Sequence, residues 1–344
     1  MPIDATIVLP MKNGVRYLAE LFAAVFAQTT HYTYEFIAVD SGSTDGSLEL
    51  VTQYPIRLIQ IAPHTFNHGE TRNLGASYAD PTSRYILFLT QDATPMEGWL
   101  DALLDPLEHD PNLAGTFSRH VPRADCQLPL ARRMTTEWEQ AGMLTPIHKQ
   151  ITDLHAFEQH KAFYCYFSNT SSALRRSVFA AYPFRRVEFA EDADWAERVL
   201  RAGYSLRYQP ASRVLHSHSY PLWDQFTQNV DHAKGMRVLL GPQAIPTMTW
   251  ERFWHQWKEA TRLDFLYAGL FPMRTRDRLI WIFYSSLWEF ATLSGSVVGF
   301  QYHQLPKGVV RLLSHQRRVR RGKAQAGQKA VQPGPSPFIS RSGR

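Results

Sequence analysis

The chain has 344 residues, of which 44% are hydrophobic; this composition predicts a large globular domain with a smaller appendage and excludes a mainly disordered protein. Its formal charge of +6 is uneven, because residues 301–344 contain ten Lys or Arg and no acid, whereas the rest contains 27 basic and 31 acidic residues. Its two cysteines, Cys126 and Cys165, stand far apart in no CxxC pair, which excludes a disulfide framework and a thiolate zinc site.

The amino-terminal half alternates short apolar runs with helical patterns. We predict strands at residues 5–10, 34–40, 56–61 and 85–90, and helices near residues 15–28, 48–53 and 69–79. Strands that alternate with helices form parallel sheets, and such sheets bind ligands beyond the carboxyl ends of their strands. The residues to consider first are therefore Pro10, Asp40, His68, Gln91 and Asp92, which follow or end these strands.

The second half has a weaker pattern. Residues 115–161 are predicted to be an irregular or helical cover over a pocket, and residues 163–179 a strand that turns into a helix. A helix is predicted at residues 190–204, with a pair of strands near 206–208 and 214–216. We expect helices from residue 223 onward and a disordered basic tail at residues 321–344.

Two features bear on where the protein resides. The start has no basic segment ahead of an apolar run, so we expect no signal peptide and a cytoplasmic location. Residues 279–300 are apolar with the single charge Glu289, and basic residues flank them. Although this length can span a bilayer, we expect an interfacial helix or hairpin, with a packed core helix as the alternative. The basic tail would contact anionic lipid, or would simply be a solvated end.

Two aspartates end predicted strands. Asp40 precedes a Gly/Ser turn, where it can accept hydrogen bonds from a nucleobase or ribose, or can cap the turn itself. We expect Asp45 to do the capping, which leaves Asp40 for ligand. Asp92 follows four apolar strand residues, where one carboxylate suffices to anchor Mg²⁺ or Mn²⁺ on a diphosphate; a turn carboxylate is the alternative.

Acidic residues crowd the start of the helix predicted at 190–204, namely Glu188, Glu191, Asp192 and Asp194. Clustered carboxylates raise each other's pKa, which suits a general base. The helix dipole alone also favours acids in a first turn, so a purely structural role is the alternative. The apolar residue Trp195 would hold this helix against the core.

Two histidine-bearing segments complete the candidate site. His216 and His218 alternate in a strand-like run, so both would face one side and could bind a metal ion. His68 and Arg72 lie one helical turn apart, where both could face a diphosphate near a helix amino terminus. Neither a P-loop nor a GxGxxG motif is present.

Taken in order over roughly residues 3–220, these segments resemble family 2 glycosyltransferases of the GT-A fold, particularly bacterial rhamnosyltransferases. The matching segments are IVLPMKNG, AVDSGSTDGS, FNHGETRNLGA, FLTQDATP, FSNTSSALRRSVF, EDADWAERVLRAGY and VLHSHSY. The resemblance implies a Rossmann-like, mixed, mostly parallel α/β sheet flanked by helices, with a helical carboxyl-terminal appendage. It divides the chain into a transferase domain at 1–222, a helical region at 223–320 that we expect to associate with a membrane, and the disordered basic tail at 321–344.

The resemblance also implies roles for single residues. Asp40 matches the acid that contacts the nucleoside, Arg72 the basic residue near base and phosphates, and Asp192 the general base of the ED motif. Gln91 and Asp92 match the metal-binding DxD motif, with Gln91 in place of its first acid, and His216 or His218 resembles a late metal ligand. The resemblance adds Pro10 and His68 to the donor side, and Glu191, Trp195 and Asn169 to the acceptor side.

The implied activity is inverting transfer of a sugar from a nucleotide-diphosphate donor, with dTDP-rhamnose favoured, to a glycan or lipid-linked acceptor in cell-surface polysaccharide synthesis. The implied cofactor is Mg²⁺ or Mn²⁺, and the implied location is the inner face of the cell membrane. The alternatives are a glycosyltransferase for another sugar nucleotide and a non-catalytic sugar-nucleotide-binding protein of the same fold. A nucleotidyltransferase is disfavoured because no Gly-rich basic loop follows the first strand. We expect no nucleic-acid partner, because the basic tail lacks interleaved aromatic residues.

Overall fold

The structure is a computed structural model that describes residues 2–140, 142–187, 190–241 and 249–314. It divides into two compact units. The first comprises Met1–Val121 and Trp138–His216, and the second Pro122–Glu137 and Ser217–Arg344. The predicted disordered tail at residues 321–344 and the predicted acid Glu188 lie outside the described residues.

The first unit is built on a mixed sheet. Its strands are β1 (Ala5–Met11), β2 (Tyr34–Asp40), β3 (Ile56–Gln60), β4 (Tyr85–Leu89), β5 (Thr94–Pro95), β6 (Leu113–Val121), β7 (Ile147–Lys149), β8 (Ser171–Arg175) and β9 (Ser205–Leu215). The order is β3-β2-β1-β4-β8-β6-β9-β5, with β7 also paired to β9. Strands β3, β2, β1 and β4 are parallel neighbours, and β9 is parallel to β6. The predicted α/β class with a mixed sheet flanked by helices is confirmed.

Helices cover both faces of this sheet. They are α1 (Val15–Phe26), α2 (Ser47–Val51), α3 (His68–Ser77), α4 (Trp99–His109), α6 (Trp138–Gln140), α7 (Leu154–Gln159), α8 (Lys161–Cys165), α9 (Arg176–Ala181) and α10 (Glu191–Arg201). The helix between α4 and α6, α5 (Leu128–Arg132), belongs to the second unit. Strand β1 shows why two cores form, because Ile7 and Leu9 enter the core that includes α1 and α4, whereas Val8 enters the one that includes α10. The sheet is therefore buried on both sides, as a parallel centre requires.

Three predictions for the second half are wrong, the first only in part. The segment predicted to be irregular or helical does contain helices, but it also contains the strands β6 and β7. Strand β6 was not predicted because the polar residues of LAGTFSRHV interrupt its apolar pattern, although its first six residues are buried. The predicted pair of strands near 206–208 and 214–216 is one strand, β9, with an irregularity after Gln209. In the run 163–179, the aromatic part lies mostly in α8 and the loop after it, and the strand begins only at Ser171.

The second unit is helical. It contains α5 (Leu128–Arg132), a π-helix (Arg133–Glu137), α11 (Leu222–Leu240), α12 (Trp250–Ala268), α13 (Thr275–Phe300) and α14 (Lys307–Leu312). A buried ionic cluster holds three of these helices together, because Arg132 of α5 bonds both Asp264 of α12, at 2.5 Å, and Glu289 of α13, at 3.1 Å. Glu289 is fully buried and also pairs with Arg133. The one charge of the apolar stretch is thus neutralised by arginines more than 150 positions away in sequence.

Helix α13 buries mostly small and polar side chains and exposes large apolar ones, the reverse of the usual arrangement in a surface helix. Its buried face carries small or polar residues such as Ser285, Thr292, Gly295 and Gly299, although Trp288 is buried with them. Its exposed residues include Leu279, Ile280, Phe283, Leu287 and Phe290. It is one continuous helix, so the hairpin alternative for residues 279–300 is wrong. Among the described residues, no helix has both the length and the apolar character needed to span a membrane.

Candidate active site

Asp40 ends β2 in a fully formed turn and is 1% exposed. Its carboxylate accepts hydrogen bonds from the backbone N–H of Gly42 at 2.9 Å and from the N–H and Oγ of Ser43, the latter at 2.5 Å. Asp45 accepts from Ser47 in the same way. Asp45 thus caps the turn as expected, but Asp40 is not left free by it, since both oxygens of Asp40 also hold the turn. The role of Asp40 in donor binding stays a prediction.

Gln91 is fastened to the end of β1. Its Oε1 accepts from the N–H of Lys12 at 2.8 Å, and its Nε2 donates to the carbonyl of Lys12 at 3.2 Å. A side chain that both donates and accepts is required here, and an ionised aspartate cannot donate. Gly14 leaves the space, because a Cβ there would lie 2.8 Å from Oε1 of Gln91. This packing gives a structural reason for Gln in place of the first acid of the DxD motif.

The second position of that motif lies in a cluster of metal-ligand residues. Asp92, His216 and His218 each offer one ligand atom, and these atoms all lie within 4.8 Å of one another. Nε2 of His216 is 3.6 Å from Oδ1 of Asp92. One carboxylate with two imidazoles can hold a divalent ion whose other positions are taken by phosphate or water. The donor set therefore fits the predicted metal.

His120 is part of this neighbourhood, and the sequence did not indicate it. Its ring lies 5.1 Å from that of His216, and its Nε2 is 3.4 Å from Oγ of Ser168. It reaches this position because β6 runs parallel to β9, with His120 opposite Val214. A signal for it exists only once β6 is recognised as a strand, because the carboxyl ends of parallel neighbours meet at one edge.

Asp192 lies in the first turn of α10. One of its oxygens accepts from the N–H of Ala193 at 2.9 Å and the other from the N–H of Asn169 at 3.3 Å. Burial of this carboxyl, together with the neighbouring Glu191, raises its pKa to about 7 against the lowering effect of the two N–H groups and Arg72. A carboxyl with this pKa can accept a proton near neutral pH.

The helix begins under constraint. Ala190, the residue before it, has φ +57° and ψ +51°, a left-handed conformation that costs an alanine energy and recurs at functional sites. At the facing end of α3, a Cβ on Gly69 would lie 2.9 Å from the carbonyl oxygen of Arg185 and 3.5 Å from Cβ of Glu191. The start of α10 is thus packed closely against α3.

Arg72 of α3 holds the acid next to Asp192. Its Nη1 lies 2.7 Å from Oε1 of Glu191, and both side chains are nearly buried. Nδ2 of Asn169 reaches the same Glu191 oxygen at 3.5 Å, and Oδ1 of Asn169 accepts from Ser172 at 3.0 Å. The structure therefore makes Arg72 and Asn169 partners of Glu191, and the role of Arg72 toward phosphates stays a prediction.

The remaining predicted residues differ in access to solvent. Trp195 is fully buried among aromatic rings, with Phe167 at 5.1 Å and Phe184 at 6.3 Å, so it can influence an acceptor only by fixing α10. His68 is exposed at the start of α3, where Asn67 caps the first N–H groups. Pro10 lies in β1 opposite Val39 of β2, the residue before Asp40.

A short segment before β8 joins the two groups. Ser168 contacts His120 of the histidine cluster, and the next residue, Asn169, donates its N–H to Asp192. Thr170 accepts from the N–H of Thr90, two residues before Asp92. Residues 168–170 thus connect Asp192 with the neighbourhood of His120 and His216 and with the strand end that precedes Asp92.

Known proteins are similar to this chain over most of the first unit. Residues 6–179 match the family model described as Glycosyl transferase family 2. The chain is 34% identical over 231 residues to the O-antigen chain rhamnosyltransferase WbaN of Salmonella anatum, covering 66% of this chain and 70% of that protein. It is 28% identical over 232 residues to the O-antigen chain rhamnosyltransferase RfbN of Salmonella typhimurium, with the same coverage of 66% and 70%.

A solved structure shares the fold. The mannosyltransferase PcManGT from Pyrobaculum calidifontis, in complex with GDP-Man and Mn²⁺, superposes with a TM-score of 0.52 at 15% identity, covering 87% of this chain and 89% of that one. At this identity the likeness concerns the fold alone. The predicted GT-A fold class is confirmed.

Proposed function

Because this chain belongs to glycosyltransferase family 2 and is a glycosyltransferase, we propose that it transfers rhamnose from a dTDP donor, with inversion, to a glycan or lipid-linked acceptor of a cell-surface polysaccharide. The similarity to two O-antigen chain rhamnosyltransferases supports the sugar and the class of acceptor. We assign the reaction to the domain at residues 1–222 and a membrane-facing role to the helical region at 223–320.

The position and pKa of Asp192 carry the mechanistic proposal. Asp192 removes the proton of the acceptor hydroxyl while that oxygen attacks the anomeric carbon from the side opposite the nucleotide. The bond from the anomeric carbon to the diphosphate breaks, and the nucleotide diphosphate leaves with the electron pair. One displacement of this kind inverts the anomeric configuration. Burial, together with Glu191 held by Arg72, keeps the pKa of Asp192 high enough for it to act as a base near neutral pH.

We assign the metal site to Asp92, His216 and His218. A divalent ion held by these residues would supply positive charge that neutralises the charge growing on the diphosphate as it leaves. Mg²⁺ prefers an all-oxygen shell, whereas Mn²⁺ accepts imidazole more readily, so two histidines favour Mn²⁺. The donor residues that the family implies are Pro10, Asp40, His68, Arg72 and Gln91, and of these only His68 is classed as exposed. Pro10 and Gln91 are partly exposed, whereas Asp40 and Arg72 are buried.

We further propose that the protein works while bound to the cytoplasmic surface of a membrane. The exposed face of α13 carries Phe283, 68% exposed, and Leu279, 63% exposed, and nearby α12 exposes Trp250. Arg274 and Arg276 are exposed at the start of α13. Apolar and aromatic side chains beside arginines are the composition of a helix that lies in a lipid interface.

A donor screen tests the activity. We expect release of nucleotide from dTDP-rhamnose in the presence of Mn²⁺ and an acceptor extract, with lower rates for UDP- and GDP-sugars and for Mg²⁺. Asp192→Asn should lower turnover by roughly 10²–10⁴-fold while the donor still binds, because the loss of a base affects the chemical step. The matched control is Asp194→Asn in the same turn, whose carboxylate pairs with Arg198. Near-normal turnover by Asp192→Asn would exclude it as the base, and a faster rate with another donor would replace rhamnose.

A further inference from the structure

The described part of the first unit has a cavity whose lining includes none of the residues assigned above to the base, the donor or the metal. It has a volume of about 460 Å³ and is lined by Arg119 of β6, by Gln209, Pro210, Ala211 and Arg213 of β9, and by Leu144 and Pro146 of the preceding loop. It forms where the pairing of β6 with β9 jumps from Ser118 opposite Gln209 to Arg119 opposite Arg213. Residues 210–212 of β9 are the extra residues of this β-bulge, and Pro210 and Ala211 line the cavity.

The bulge is firmly anchored. Ser212, at its end, is fully buried and bonds the Oγ of Ser118 at 2.8 Å and the carbonyl of Trp99 at 3.1 Å. The register that brings the two arginines opposite each other therefore depends on buried hydrogen bonds, so the cavity has a fixed wall.

The cavity is positively charged and has unused polar groups. Arg119 and Arg213 are direct neighbours on parallel strands, about 5 Å apart in the backbone. Within the described ranges of the chain, neither guanidinium forms an ion pair. The buried Nε–H of Arg119 lacks an acceptor, and the buried Oε1 of Gln209 lacks a donor, among the described groups. Two like charges held together beside unsatisfied polar atoms favour an anion that also offers a hydroxyl.

The arginines face away from the metal cluster. Side chains alternate along a strand, so Arg119 and Phe117 share one face of β6, whereas His120 is on the other. Phe117 belongs to the same core as Trp195 of α10, the helix that carries Asp192. The arginine pair is thus on the face of the sheet that is covered by α10, the helix that carries Asp192. It is not on the face where His120 contacts His216.

We propose that this cavity binds an anionic group of the acceptor, namely a phosphate or carboxylate carried by a saccharide. Arg119 and Arg213 bind the oxyanion, and Gln209 accepts a hydrogen bond from a hydroxyl of the sugar. The apolar residues Leu144, Pro146 and Pro210 pack against the sugar ring. The assignment of the ligand as acceptor rests on the proposed function, whereas the anion site itself does not.

Titration calorimetry on the full chain tests the proposal. The protein is first saturated with dTDP and Mn²⁺ so that the donor site is occupied, and is then titrated with glucose 1-phosphate, glucuronate or glucose. We expect at least one of the two anionic sugars to bind at least about tenfold more tightly than glucose, because its charge gains bidentate contacts. The tighter of the two identifies the charge as phosphate or carboxylate.

The double variant Arg119→Gln/Arg213→Gln should lose this preference, whereas Arg57→Gln, a surface arginine on the edge strand β3, should keep it. Unchanged binding by the double variant, or glucose binding as tightly as both anions, would overturn the proposal. Binding of dTDP with Mn²⁺ is recorded separately in every variant and reports on the proposed function. If the nucleotide fails to bind, the same anion titrations on the nucleotide-free protein still decide whether the cavity is an anion site.

Discussion

Asp40 and Asp192 show how the surroundings of a carboxylate separate a structural role from a chemical one. Asp40 receives hydrogen bonds from the backbone and the hydroxyl of its own turn, and these fix the loop after β2. Asp192 receives two backbone N–H groups, yet it is packed in protein beside Glu191, and its pKa rises to about 7. Both carboxylates are enclosed by protein, so the difference lies in the neighbours: both oxygens of Asp40 are held by its own turn, whereas Asp192 lies next to the acid Glu191. The adjacent acid is visible in the sequence, but the hydrogen bonds that hold Asp40 are not.

The pH dependence of kcat/KM should report the pKa of Asp192. In the wild type we expect the rate to rise with pH through a midpoint near 7, because the base acts only when it is deprotonated. Glu191→Gln removes the neighbouring negative charge, so it should lower that pKa and move the midpoint to lower pH. Arg72→Gln removes a positive charge and should move the midpoint to higher pH. Nucleotide release measured across pH 5–9 checks both directions.

Both variants break a buried ion pair, which typically costs about 3–5 kcal/mol of stability. Loss of folded protein lowers the rate at every pH, whereas a change of pKa moves the midpoint, so the two effects are separable. Asp194→Asn is the control, because its partners Arg198 and Arg185 lie on the outer side of the helix. Identical midpoints in all four proteins would contradict the assignment of Asp192.

At the scale of elements, α13 depends on small residues on its buried face. A Cβ on Gly295 would lie 2.3 Å from the carbonyl oxygen of Phe226, and one on Gly299 would lie 2.4 Å from that of Val230, both in α11. Backbone atoms cannot move aside as a flexible side chain can, so α11 and α13 approach each other only where Cβ atoms are absent. Large side chains are consequently placed on the outer face.

Gly295→Ala and Gly299→Ala should each destabilise the second unit by roughly 1–3 kcal/mol, the usual cost of overpacking. Denaturant unfolding, followed together with hydrogen exchange in α11 and α13, measures the loss. Gly308→Ala in α14 is the matched control, because a Cβ there meets nothing within 4 Å and alanine is a better helix former. Unaltered protection of α11 and α13 in the first two variants would show that the helices are not packed as described.

The elements also show what the sequence could predict. Strands β1, β2 and β4 are short apolar runs with clear ends, and they were predicted within a residue or two. Strand β6 was missed because Thr116, Ser118 and Arg119 interrupt its apolar pattern. Thr116 and Ser118 are nevertheless buried, because their hydroxyls form hydrogen bonds with groups distant in sequence. His120 was missed with it. The ion pair of Arg72 with Glu191 joins residues 119 positions apart, so no local pattern indicates it.

At the scale of the whole molecule, charge and apolar surface are concentrated toward the carboxyl-terminal part. Residues 301–344 carry ten basic residues and no acid, and the preceding helix α13 exposes an apolar face. A surface of this kind favours an anionic lipid interface, where apolar insertion and charge attraction add together.

The full chain should bind vesicles containing phosphatidylglycerol in a sedimentation assay, with weaker binding to neutral phosphatidylcholine and at high salt. Replacing Leu279, Phe283 and Leu287 together by serine should reduce the binding at least about tenfold, because three exposed apolar side chains no longer insert. Leu154→Ser, at a residue 61% exposed on α7 of the first unit, is the control. Equal sedimentation of the triple variant and the wild type would contradict a lipid-binding role for this face.

The consecutive residues Ser168 and Asn169 touch the histidine cluster on one side and the base on the other. A peptide unit cannot shift one of its ends by much without shifting the other, because its bonds are planar and stiff. Under the roles that we propose for the Asp92 and histidine cluster and for Asp192, ion preference and optimum pH are therefore mechanically linked. Selection for activity with a different ion, in the laboratory or in nature, should carry the optimum pH along with it, and enzymes that need the two tuned independently would have to lengthen this segment.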